Sequence, residues 1–154
     1  MLTTEFYDLF SKSHLKSYFL GVYSADTIPK SIRRHKFIVV NTSDSTEVGS
    51  HWYIIYRVDF KTLEIFDSLG IDTSKRIFLK ENFNLRGIKS IKFNTTRVQS
   101  NESSTCGHFC VFFIYQRLHN QDLTFHELIN ETFEVDCDSN EKNVNNFMTK
   151  IING

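Results

Sequence analysis

Two runs rich in aromatic and β-branched residues, His51-Trp-Tyr-Ile-Ile-Tyr-Arg-Val58 and Thr62-Leu-Glu-Ile-Phe-Asp67, are separated by a gap that only a hairpin turn around Asp59 and Phe60 can bridge. A turn centred near Asp59 pairs residues whose numbers sum to about 118, as 51 and 67 do. His51 and Asp67 are then expected on one face at the open end of the hairpin. Directly opposed side chains there have Cβ atoms roughly 5 Å apart, within reach of an imidazole–carboxylate hydrogen bond. Such a bond fixes the ring's tautomer and stabilises its protonated form. A slip of one residue would send the two side chains to opposite faces. Taken alone, the pair also matches an ordinary surface ion pair at a strand end.

Around this hairpin the chain reads as further strands and several helices. Lys36-Phe-Ile-Val-Val-Asn41 is a buried-strand run, and Ile88 to Val98 is mostly strand. Phe6, Leu9 and Phe10 sit at helical spacing in residues 4–12, behind Thr3 or Thr4 as a cap. Asp72 caps a short helix reaching Leu79. Ser103, Ser104 and Thr105 precede an apolar helix from Cys106 to about Leu118, and Thr124-Phe-His-Glu127 is a capping box. Val144, Phe147, Met148, Ile151 and Ile152 give a last amphipathic helix. The expected fold is α+β: an antiparallel or mixed central sheet with flanking helices, and Cys106 at the N-terminus of a central helix. No repeat or composition break divides the chain, so one domain is expected over residues 1–154.

Charge and cysteine usage narrow the function. Lys plus Arg and Asp plus Glu both number 18, which argues against a dedicated nucleic-acid coat. The one basic cluster, Lys30, Arg33, Arg34, His35 and Lys36, reads as a solvated face. No apolar run approaches bilayer length, and Met1-Leu2-Thr3-Thr4-Glu5 is not a signal peptide, so no membrane partner is expected. Cys106, Cys110 and Cys137 are odd in number and unevenly spaced, which points to a reduced, intracellular chain.

Cys106 stands out chemically. At a helix start, unpaired N–H groups and the positive dipole end favour the thiolate, which is the nucleophilic form. Cys110, one turn deeper among Phe109, Val111 and Phe112, suits a small buried hydrophobe. Gly107 leaves space for a substrate backbone. Cys106-x-His108-x-Cys110 lacks the spacing of metal ligand pairs, so no metal is expected. A thiol with a histidine and an orienting acid is the general design of an activated thiol nucleophile.

At these residues the chain resembles a known family. Tyr18-Phe-Leu-Gly21, Val40-Asn-Thr42, Gly49-Ser-His51-Trp52, Ile65-Phe-Asp67-Ser-Leu-Gly70 and Gln99-Ser-Asn-Glu-Ser-Ser-Thr-Cys106-Gly-His-Phe-Cys110 follow, in order, the pattern of the adenain-type cysteine endopeptidases of adenoviruses, related DNA viruses, virophages and Maverick/Polinton-type elements. Their broader relatives are the Ulp-type proteases that cleave SUMO. The likeness covers about residues 18 to 120, and the Gln-to-Cys spacing of seven leans to the adenain side. It implies a papain-related fold with Cys106 as nucleophile, His51 as general base and acid, and Asp67 as its orienter. Gln99 would supply the oxyanion hole together with the Cys106 N–H, and Trp52 would pack on the imidazole. Asp67 itself looks more like the SUMO-type branch, since adenoviral enzymes often carry Glu there.

The resemblance further implies protein or peptide substrates, such as capsid or core precursors, and a monomer acting in the host nucleus, a viral factory or the virion. Adenoviral relatives hold an activating peptide through a disulfide upstream of the Gln, but residues 88–98 contain no cysteine. No tethered cofactor is expected there. DNA and a non-covalent activating peptide stay open, as do two other readings: a SUMO- or ubiquitin-like isopeptidase, and a non-catalytic binding module of the same fold.

Overall fold

The computed structural model describes residues 1–42, 51–71 and 87–154, so the helix expected from Asp72 lies outside the described residues. Their β structure is a sheet of β1 (Phe19–Tyr23), β2 (Phe37–Asn41), β3 (Trp52–Arg57), β4 (Thr62–Phe66) and β5 (Ser90–Phe93), in that spatial order. The expected hairpin is present: β3 runs antiparallel to β4, and β2 antiparallel to β3. The outer strands differ from a purely antiparallel run, because β1 lies parallel to β2 and β5 parallel to β4. The sheet is therefore mixed.

Central strands bury both faces, which explains their nearly continuous apolar runs. Phe37, Val39, Trp52, Ile54, Tyr56 and Phe66 face one core; Ile38, Val40, Tyr53, Ile55, Leu63 and Ile65 face the other with Ile32 and Ile71. The first core is covered by α1 (Thr3–Ser11), α2 (Cys106–His119), α3 (Phe125–Thr132) and α4 (Cys137–Asn153). Ten of the fourteen residues of α2 are buried, which makes it the central helix. Phe66 of β4 stacks on Phe113 of α2 at 4.4 Å between ring centres, and on Phe133 at 5.4 Å.

Helix starts follow capping chemistry with two departures. Thr124 and Glu127 form the expected reciprocal box. At α1 the cap is Leu2, not Thr3 or Thr4; the Glu5 carboxylate reaches back to accept the Leu2 N–H. At α2 Thr105 is the cap residue, but its hydroxyl donates to Glu141 Oε2 at 2.7 Å and makes no cap bond. The first N–H groups of α2 are thus left to whatever lies at its mouth.

One buried ion pair fastens α2 to the sheet. Arg117 Nε and Nη2 each meet a Glu64 carboxylate oxygen at 2.8 Å, and Arg117 Nη1 donates to the carbonyls of Asn120 and Leu123. Burial pushes the Glu64 carboxyl up while Arg117 pulls it back. The second partner and satisfied donors are what make such a buried charge tolerable.

Candidate active site

The β3–β4 register pairs Ile54 with Phe66 and Ile55 with Ile65, so paired numbers sum to 120 rather than 118. Val58 N–H donates to Thr62 O at 3.1 Å, leaving Asp59, Phe60 and Lys61 as a three-residue turn. The shift is two residues, an even step, so His51 and Asp67 keep a common face. Each sits one residue beyond its strand end. His51 Nε2 meets Asp67 Oδ1 at 2.6 Å, with Asp67 wholly buried and His51 8% exposed. This is a buried pair, unlike the weak exposed kind.

On the thiol side, His51 and Cys106 lie close enough to shift each other's titration in opposite directions. With Nε2 committed to Asp67, Nδ1 is the nitrogen left for the sulfur. Burial pulls the His51 pKa down, yet the Asp67 and Cys106 contacts raise it from 6.5 to about 9. Burial pushes the Cys106 thiol up, but the neighbouring His51 ring and the backbone N–H groups of Trp52 and Gly107 bring it below its ordinary 9.0. Both directions favour a thiolate–imidazolium pair. One turn deeper, Cys110 is fully enclosed and burial holds its thiol well above 9.0. The two sulfurs on this face have opposite chemistry.

Gln99, 1% exposed, joins the group through the residue after Asp67. Ser68 Oγ donates to Gln99 Oε1 at 2.5 Å, and Gln99 Nε2 donates one N–H to Ser103 O at 2.9 Å. The second N–H has no partner among the described residues. Trp52 packs edge-on against Phe6, and its indole N–H donates to Met1 O at 3.0 Å. The space beside Gly107 holds Met1, whose Cβ would lie 2.9 Å from a Cβ added at 107. No group of three or more His, Cys, Asp or Glu side chains among the described residues is placed to hold a metal ion.

Comparison with known proteins puts these residues in a lineage. The family model described as adenovirus endoprotease matches residues 19–150. The chain belongs to the adenovirus endoprotease family. Proteins named protease from ovine adenovirus D serotype 7 and bovine adenovirus 4 are 29% and 30% identical to it over 128 and 129 residues. Each match covers 73% of this chain and 62% of the relative, so the chain spans less than two thirds of those relatives' length. A crystal structure of an ASFV protease superposes at a TM-score of 0.40 with 20% identity, over 61% of this chain and 38% of the other. That likeness is too loose to bear on the assignment.

Beside these family motifs stand residues that the sequence did not single out. Asn94 brackets Asp67: its Oδ1 accepts the Asp67 N–H at 3.1 Å and its Nδ2 donates to the Asp67 carbonyl at 2.6 Å. Glu141 of α4 accepts from Ser100 N–H and Thr105 Oγ1, holding both ends of the loop between Gln99 and Cys106. Asn140 donates to Val98 O. No local pattern marks these contacts, whose partners lie 27 to 42 residues away in the chain. Ser68 lay within a motif, Asp67-Ser-Leu-Gly70, but its hydroxyl carried no signal.

Proposed function

We propose that this chain is a cysteine endopeptidase that hydrolyses peptide bonds through a thioester acyl-enzyme. The observation that carries the reading is the single imidazole hydrogen-bonded to a buried carboxylate and electrostatically coupled to a sulfur at a helix start. In this mechanism the Cys106 thiolate attacks the scissile carbonyl carbon, and the π electrons move onto oxygen. That oxyanion is met by the Cys106 N–H and the second Gln99 amide N–H. Collapse expels the amine, which takes its proton from the His51 imidazolium. Water then attacks the thioester, His51 accepts its proton, and collapse expels the Cys106 thiolate with the acid product, which restores the thiolate–imidazolium pair. Asp67 keeps the ring in the tautomer and orientation that both transfers need.

Family membership supports protein substrates, and capsid or core precursors of a virus or mobile element are the class proposed. The same reading places the protein in a reducing compartment, without metal or tethered cofactor; added DNA or free peptide tests stimulation directly. A peptide aldehyde soaked into crystals should form a hemithioacetal on Cys106. Cys106→Ala should abolish cleavage of internally quenched peptides with Gly-containing sites while leaving the thermal midpoint within a few degrees. Turnover that survives this substitution refutes the mechanism. Cleavage of intact ubiquitin-like modifiers, but of no peptide, would move the assignment to an isopeptidase.

A further inference from the structure

We propose that Ser68 is a positioning residue for the oxyanion site, holding the Gln99 amide so that one N–H faces the developing oxyanion. The proposal rests on the reading of Gln99 as an oxyanion donor. The amide orientation follows from chemistry. Ser103 O can only accept, so the nitrogen must face it; Oε1 then faces Ser68 and also only accepts, so the hydroxyl must donate. Rotation about the last torsion of a glutamine is otherwise soft, and a half-turn would exchange donor for acceptor at the oxyanion. A hydroxyl donor at 2.5 Å opposes that rotation.

The backbone adds a second link. Ser68 O accepts from Val98 N–H at 2.9 Å and from Gln99 N–H at 3.0 Å, so Gln99 is referenced to Ser68 at both ends. Ser68 is wholly buried and follows Asp67, in a turn closed by Gly70 N–H on Asp67 O at 2.9 Å. One short turn therefore locates the carboxylate behind His51 and the amide that faces the oxyanion. A fixed relation between base and oxyanion donor is what preorganised catalysis needs.

The test is a double-mutant cycle on peptide cleavage. Losing an oxyanion donor outright typically costs about 100-fold to 1,000-fold in kcat. Ser68→Ala, which loosens the donor without removing it, is expected to lower kcat roughly tenfold with KM within about twofold. Iodoacetamide should alkylate Cys106 at the wild-type rate, because the thiolate pair is untouched. In a Gln99→Ala background, Ser68→Ala should change kcat by less than about twofold. Ser68→Cys, with a weak donor of similar size, should fall between, and carries the same cycle if the alanine variant does not fold. Wild-type kcat in Ser68→Ala alongside an impaired Gln99→Ala overturns the proposal, as does an equal loss in both backgrounds. Unchanged kcat in Gln99→Ala would instead overturn the oxyanion reading itself, and this inference with it.

Discussion

Replacing Asp67 by Asn separates the charge behind His51 from its geometry. Asp67 Oδ1 accepts from His51 Nε2 at 2.6 Å and from the Leu69 N–H at 2.9 Å. An amide oxygen can accept both bonds. The Leu69 N–H is a backbone donor that rejects an amide NH₂ at that position, so the substituted side chain should keep its oxygen toward the ring and preserve the tautomer. What disappears is the negative charge. Raising His51 from 6.5 to about 9 corresponds to about 3 kcal/mol in favour of the protonated ring. Asp67 and Cys106 together supply that net effect and also offset the pull of burial, so losing the carboxylate's charge should weaken the protonated ring by at least about tenfold.

The assay needs no substrate, since iodoacetamide reacts with the thiolate alone. Alkylation of Cys106 is followed by peptide mapping from pH 5 to 10, in both proteins. A weaker imidazolium stabilises the thiolate less, so the variant should react on the order of tenfold more slowly near pH 6. The two curves should converge above the ordinary thiol pKa of 9.0, where the sulfur ionises unaided. In turnover, the alkaline limb should move from about 9 toward 6.5, because the imidazolium loses its proton earlier. Coincident alkylation profiles below pH 8 would refute the reasoning. A uniform slowing at every pH would do so equally, by pointing to access rather than charge.

Two further substitutions test the scaffold. Glu64→Ala leaves Arg117 buried without its carboxylate and should cost roughly 3–5 kcal/mol in denaturant unfolding; a loss under about 1 kcal/mol would show that the pair contributes little. Gly70→Ala forces a side chain onto a backbone with φ +85° and sets its Cβ 2.5 Å from Thr95 O. It should cost at least about 1–3 kcal/mol and slow peptide cleavage by displacing the Asp67 turn; wild-type melting and rate would contradict both effects.

The parts of the molecule that were legible in its sequence are those where chemistry or periodicity was local. The β3–β4 hairpin, the Thr124 capping box and the apolar helix behind Thr105 could be read directly. The hairpin register could not be read to better than two residues. Both faces of β3 and β4 are buried, so either phase of their pattern looks apolar, and the turn proved to hold three residues. β1 was missed as a strand because it is short, half-buried and interrupted by Gly21, and its parallel pairing with β2 leaves no hairpin signal. At the site, His51, Asp67 and Cys106 were marked by residue type and spacing, and Gln99 only by the family motif that contains it. Asn94, Glu141 and Ser68 were not, since small polar and acidic residues are common on surfaces and only the folded chain brings them to their partners.

The sheet described above has no dry and wet side, and this shapes how the protein can tolerate change. If positions 37–40 and 53–56 were randomised in a selection for folding, survivors of a one-sided sheet would drift at every other residue. Here neighbouring positions such as Val39 and Val40, or Ile54 and Ile55, should resist alike, because each is sealed within a different core. Variation compatible with the fold should instead gather on the outward stripe of the last helix, where Asn145, Asn146 and Lys150 meet solvent.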